Sequence, residues 1–429
     1  MEHFIIEGGR QLQGIITPAG NKNAALPLLA ATLLTEHPVT LHNMPLIGDV
    51  ANKIALLQKL GVQVERLATH SWRFNTATLN DDQPDLILAR KIRTSILLAG
   101  PLLARRGKVI LPRPGGDAIG RRRLDTHFQA LQELGAQIEV TPTTYILQAT
   151  KLHGIDILLD EMSVTGTEQA ILASVLAEGT TVIENAASEP HIQDLCSFLN
   201  RIGAQIEGVA TNRLIIQGVA SLHGGEYTIG PDFMEVASFI GLAAVTRSGI
   251  RIADARPSDH RMTRLAFGRL GVRWDVEGND IVIPADQELV VRADMHNAIP
   301  KIDSMPWPGF NADMISIALV VATQAQGTVL IHEKLFESRL FFVDRLIGMG
   351  ARIVLCDPHR AVVVGPSKLY GEPEGMPSPD IRAGMALLLA ALCAQGRSII
   401  YNIGQIDRGY ERIDDRLRML GAAIQRVQS

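Results

Sequence analysis

Lys22 stands between Asn21 and Asn23 in the run GNKNAALPLLAA (20–31), at the entrance to an Ala/Leu-rich apolar stretch. A helix entrance attracts anions through its unbonded N–H groups and its dipole, and a lysine adds a point charge. A second concentration of charge lies in 104–125. Seven cations fall there (Arg105, Arg106, Lys108, Arg113, Arg121, Arg122 and Arg123), with Asp117 the only acid between Arg105 and Arg123. Dense proline and glycine predict a mobile loop, and a cationic, Gly-rich loop is suited to close over a polyanion. GFNADMISIAL (309–319) sets Asp313 ahead of an apolar helix. DIRAGMALL (380–388) and IDRGYERIDDRL (406–417) place Arg382 and Arg408 at predicted helix starts, each behind a carboxylate, Asp380 or Asp407. That end of a helix repels a cation. Taken singly, Asp313 and Asp380 read as N-caps, Lys22 as a solvated turn residue and the basic segment as a solvated loop.

The elements that must position these residues repeat. Six runs share the pattern apolar-x-x-apolar-Gly-small-x-apolar, with glycines at 61, 135, 203, 271, 350 and 421. Their spacing averages about 72 residues, and a fixed period outranks any local motif as a sign of architecture. Each run reads as the last turn of an amphipathic helix, a left-handed glycine cap, and an alternating strand. Ahead of it comes an apolar stretch such as TEQAILASVLAEGTTVIEN, which predicts a helix buried on most faces and then a strand. Three units before about residue 230 and three after it imply two similar domains. The chain hinges fall at Ala19-Gly20-Asn21 and Gly230-Pro231-Asp232.

The bulk properties narrow the function classes. A chain of 429 residues exceeds one ordinary core. A net charge of −4 gives no general drive toward nucleic acid or anionic membrane. The basic segment lacks the aromatics of a single-strand binder. No apolar run is long enough to span a bilayer, and the first residues carry no secretory pattern. Three cysteines, none in a CxxC pair, fit a reducing cytosol. P-loop, HExxH, dinucleotide and zinc spacings are absent, so no metal and no cofactor are expected.

The stretches GNKNAALPLLAATLL, IRTSILLAGPLLAR, PGGDAIGRRRLDTH, SVTGTEQAILASVLAEGTTVIENAASEP, FNADM, DIRAG and IDRGYERI together resemble the enolpyruvyl transferase family over essentially the whole chain. The resemblance implies an α/β fold of two inside-out α/β barrels, each of three βαβαββ repeats. Residues 21–230 would form the first, carrying the lid loop; 1–20 with 231–429 would form the second. It implies transfer of the enolpyruvyl group of phosphoenolpyruvate to the 3-hydroxyl of UDP-N-acetylglucosamine, with release of phosphate, in the cytoplasm at the start of peptidoglycan synthesis. A different nucleotide or sugar acceptor, or a non-catalytic nucleotide-sugar-binding paralogue, remains open.

By the same resemblance Lys22, Asn23, Arg93, Arg122, Arg382 and Arg408 would hold phosphoenolpyruvate. Arg122, Arg123, Leu124, Asp125 and Thr126 would bind uridine, and Ser163, Val164 and Thr165 the diphosphate. Asn23, Arg93 and Leu335 would also meet the nucleotide sugar. Asp117 would donate the proton and Asp313 act as base beside the sugar hydroxyl, with Lys22 and Arg408 completing the catalytic set. Glu189 and Asp232 match acids near the cleft. Many relatives carry cysteine in place of Asp117, some have lysine in place of Gly48, and many have proline in place of Arg123. The carboxylate at 117 implies a more acidic optimum and insensitivity to fosfomycin, which alkylates a thiol.

Overall fold

The computed structural model describes residues 2–79, 83–116, 119–120 and 122–428. The chain divides into two compact units, one of Gly20–Gly116 with Arg123–Gly230, the other of Met1–Ala19, Asp117–Arg122 and Pro231–Ser429. At the two main crossings each side is tied within its own unit. The Asn21 N–H donates to the Gly230 carbonyl at 2.8 Å, and the Asp232 N–H to the Ala19 carbonyl at 2.8 Å.

The six-fold pattern becomes six amphipathic helices, Gly48–Lys59, Asp125–Glu133, Pro190–Arg201, Arg261–Gly268, Val343–Gly348 and Ile413–Met419. The glycine that follows each helix has φ between 83° and 106°. An L side chain in that left-handed region costs about 1–2 kcal/mol, which is why the residue recurs.

The apolar stretches form the middle of each unit. In the 20–230 unit these are Lys22–Ala31, Ala99–Arg106 with the 3-10 turn Arg93–Leu98 ahead of it, and Val164–Ser174. In the other unit Phe233–Val245, Ile315–Gln324 and Ile381–Cys393 contact one another, and every residue of the first is buried. Gly241 permits that approach: a Cβ there would lie 2.6 Å from Ile317 Cγ2. Helices apolar on all faces can be stable only inside such a bundle.

Three small sheets surround each helical centre. Five have four strands. In one, Asp156–Leu158 pairs parallel with Thr180–Glu184, followed antiparallel by Arg213–Gln217 and Gln205–Glu207. The sixth, Lys108–Pro112 with Thr144–Gln148 and Gln137–Val140, has three described strands. Helices inside and sheets outside make each unit an inside-out α/β barrel. Each barrel is closed by a pairing between strands far apart in the chain. Gly225–Thr228 supplies the parallel edge beside Val39–His42, and Gln13–Ile16 that beside Gly249–Ile252. Strand Glu2–Glu7 lies between Arg397–Tyr401 and Ala423–Gln428, with Ile5 opposite both Ile399 and Gln425.

The basic segment 104–125 is not one loop. Arg105 and Arg106 end a helix, where the dipole favours a cation, and Lys108 begins a strand. Arg105 Nη1 donates to the carbonyls of Leu33 and Thr76, both at 3.0 Å, and Nη2 meets Glu36 at 3.1 Å. This arginine is a structural clamp rather than part of a lid. Asp117 and Arg121 lie outside the described residues.

His260, buried at the start of helix Arg261–Gly268, predicts a pH dependence of folding. Burial drives its pKa down from 6.5 to about 4, against a backbone hydrogen bond at Ala255. An unfolded imidazole takes up a proton near 6.5 that the folded one refuses until about 4. Stability therefore declines as pH drops through that window, by about 3 kcal/mol in all. Urea midpoints at pH 7.5 and 4.5 should show a smaller difference in His260→Leu than in the parent.

Candidate active site

In the 20–230 unit the predicted residues gather at the starts of the central helices. Asn21 caps Lys22–Ala31, its side-chain oxygen accepting from Asn23 N–H at 2.8 Å and Ala24 N–H at 3.3 Å. Lys22 is the first helical residue, and its Nζ lies 2.9 Å from Asp49 Oδ2, both side chains nearly buried. Arg93 opens the 3-10 turn, and its Nη2 donates to the Arg123 carbonyl at 2.7 Å. Arg123 in turn meets Asp125 at 2.8 Å and Asp160 at 3.6 Å. Leu124 is buried just ahead of helix Asp125–Glu133. Ser163 caps Val164–Ser174, accepting from Gly166 N–H at 3.2 Å, with Val164 and Thr165 in its first turn.

Two contacts bring the two segments expected at the nucleotide together. Thr126 Oγ1 donates to Asp160 at 2.6 Å, and a ring nitrogen of His127 lies 2.8 Å from Thr165 Oγ1. Gly166 sits where a Cβ would come 2.9 Å from Thr126 Cγ2, so a larger residue would force these turns apart. Arg122 groups with the other unit's residues.

In that other unit Asp313 lies in a 3-10 turn leading into helix Ile315–Gln324, and Asn311 rather than Asp313 is the cap. Its carboxylate instead takes one bond from each of two arginines, Arg339 Nη2 at 2.7 Å and Arg382 Nε at 3.1 Å. Both guanidiniums are buried, while the Asp313 side chain keeps 24% of its exposure. Arg382 Nη1 donates to the Tyr410 hydroxyl at 3.2 Å, which lies 2.9 Å from Ser238 Oγ. Burial works against the charge on Arg382, but Tyr410, Asp313 and Asp232 outweigh it and its pKa is raised. Asp380 caps Ile381–Cys393 through Arg382 N–H at 2.8 Å and Ala383 N–H at 3.0 Å. A cleft of about 330 Å³ opens beside Arg339 and Asp380. Leu335 is exposed on the turn before Arg339, where Glu333 accepts its N–H at 2.8 Å.

Arg408 departs from its expected placement. It follows the one-turn helix Gly404–Asp407 at the C-terminal end, where the dipole suits a cation, and donates to Gln405 Oε1 at 2.7 Å. Asp232 caps Phe233–Val245, and Glu189 is buried ahead of Pro190–Arg201. Sequence reasoning missed Asp49, Arg339 and Tyr410. Arg339 lies four residues after Leu335 and Tyr410 inside IDRGYERI, both near positions already singled out, but their partners lie far away in the chain.

Each unit thus presents a cation at a helix start, Lys22 in one and Arg382 in the other, and the second adds a carboxylate held between two guanidiniums. The latter arrangement could orient a hydroxyl and accept its proton. Removing the carboxylate would leave two buried cations facing each other. Asp313→Ala should lower the unfolding free energy by about 3 kcal/mol, whereas breaking the exposed Arg73–Glu65 pair with Arg73→Ala should leave it nearly unchanged. Urea titration of both variants checks this.

The model of the EPSP synthase (3-phosphoshikimate 1-carboxyvinyltransferase) family matches residues 6–417. A UDP-N-acetylglucosamine 1-carboxyvinyltransferase of Treponema denticola is 55% identical, the match covering 99% of each chain. One of Bradyrhizobium diazoefficiens is also 55% identical, over 99% of this chain and 98% of that one. Among solved structures, the enolpyruvyl transferase NikO from Streptomyces tendae superposes with a TM-score of 0.88 at 23% identity, over 100% of this chain and 99% of that one. An EPSP synthase from Acinetobacter baumannii gives 0.75 at 18%, over 100% of both chains. These two likenesses speak for the fold, and the full-length identities for kinship. The chain belongs to the enolpyruvyl transferases of the EPSP synthase family, and within it to the UDP-N-acetylglucosamine 1-carboxyvinyltransferases.

Proposed function

We propose that this transferase moves the enolpyruvyl group of phosphoenolpyruvate onto the 3-hydroxyl of UDP-N-acetylglucosamine and releases phosphate, acting in the cytosol at the head of peptidoglycan synthesis. The observation that carries this reading is the 55% identity, over nearly the whole chain, to relatives named for that reaction. No helix among the described residues is long and apolar enough to cross a membrane, and no group of three or more potential metal ligands occurs among them.

The chemistry is addition to a tetrahedral ketal followed by elimination. Cations must hold a carboxylate and a phosphate, an acid must protonate the methylene carbon, and a base must take the acceptor's proton. In this reading Lys22, Asn23, Arg93, Arg122, Arg382 and Arg408 hold phosphoenolpyruvate. The 122–126 segment and the 163–165 turn, with Leu335, hold the nucleotide. Asp313 is the base: its two arginine bonds fix its orientation and leave part of it open to a ligand. Asp117 is the acid. Release of phosphate from phosphoenolpyruvate should require UDP-N-acetylglucosamine; release only with another sugar nucleotide would move the acceptor, and binding without turnover would mark a silent relative.

The acid at 117 has a consequence for pH. A free aspartate titrates near 3.9 and a free thiol near 8.5, so donation at pH 7 requires about 4 kcal/mol of stabilisation of the protonated carboxyl. Neighbouring arginines oppose that, and water exclusion with bound substrate anions must supply it. Asp117→Cys should therefore shift the kcat profile toward higher pH; identical profiles would refute the assignment. Fosfomycin should leave the parent unmodified. Burial pushes the Cys196 and Cys393 thiols up to about 12, and Cys356 lies far along the chain on an exposed strand. An adduct in intact-mass measurement would contradict this.

A further inference from the structure

Helix Gly48–Lys59 carries none of the residues assigned above to donor, nucleotide or catalysis, yet its buried face holds two charges one turn apart. Asp49 and Lys53 are four residues apart and so share a face. Asp49 receives Lys22 Nζ at 2.9 Å. Lys53 is fully buried, and its Nζ donates at 2.7 Å to the carbonyl of Thr94, the residue after Arg93. Its charge is favoured by Glu168, itself buried one turn into helix Val164–Ser174 and opposed by Glu189. Burial, working against Glu168, lowers the Lys53 pKa to about 7.

Burying such ions costs several kcal/mol each, and well-packed apolar residues of similar size often serve stability as well or better. The cost therefore needs a return other than stability. The geometry shows one. Asp49 removes rotamer freedom from a flexible lysine, and Lys53 pins the turn from which Arg93 projects. Building on the function proposed above, we infer that Asp49 and Lys53 are positioning residues, through which one helix face sets the placement of the two cations, Lys22 and Arg93, that receive the enolpyruvyl donor.

Steady-state kinetics with phosphoenolpyruvate and UDP-N-acetylglucosamine tests this in Asp49→Asn, Lys53→Met and Lys53→Arg. KM for phosphoenolpyruvate should rise about tenfold to a hundredfold in Asp49→Asn and Lys53→Met, with a smaller change in kcat, because misplacement of a binding group by an ångström has effects of that size. Lys53→Arg should recover most of the loss. The double variant Lys53→Met with Glu168→Leu removes both buried charges together. It should melt at or above the parent's temperature and still show the raised KM. An unchanged KM in Asp49→Asn, or in the folded double variant, overturns the inference. A parent that turns over no substrate with this acceptor instead counts against the proposed function. Calorimetric titration of phosphoenolpyruvate alone into parent and Asp49→Asn then makes the same comparison, equal affinities overturning the inference.

Discussion

The centre of each barrel is a set of helices with no polar face. An ionic group placed along them loses its water, so charged groups fall mostly at their ends, with Glu168 and Glu235 the buried acids within the first turns. The starts of those helices accordingly carry Lys22, Arg93 and Ser163–Thr165 in one unit, and Asp232, Asp313 and Asp380–Arg382 in the other. Hydrophobic pattern and reactive groups are thus one design. The repeat builds a dry bundle, and the bundle's entrances are the places left for chemistry.

Placing cations at helix starts opposes the dipole, and both units answer with a carboxylate beside the cation. Asp49 stands against Lys22, and Asp313 against Arg382. These acids hold the cations in one orientation. They also leave the cations positioned for a planar or tetrahedral oxyanion, since an arginine fork offers more donors than one carboxylate engages.

Features set by short stretches of chain were legible beforehand. The six glycines, their helices, the buried stretches and the cap at Asp380 follow from local periodicity and backbone demands. The resemblance extended this to site residues that no pattern of spacing marks. What could not be read depends on partners distant in sequence. Arg105 looked like one of several loop cations until Leu33 and Thr76 were seen to claim it. Asp313 looked like a cap, but Asn311 caps the turn and frees the carboxylate for Arg339 and Arg382. Arg408 was expected at a helix start because the acid before it mimics a cap, whereas Asp407 ends a single turn and pairs with Arg426.

Strand Glu2–Glu7 is inserted between two strands from the last few dozen residues. On the ribosome, Glu2–Glu7 must wait unpaired until strands 390 or more residues further along have emerged. The 20–230 barrel closes earlier, once Gly225–Thr228 can pair with Val39–His42. The entropic charge for closing so large a ring grows only logarithmically with its size, so the burden is kinetic rather than thermodynamic. A nascent chain would therefore expose both edges of this strand until those partners emerge, making this seam the natural point of attention for chaperones.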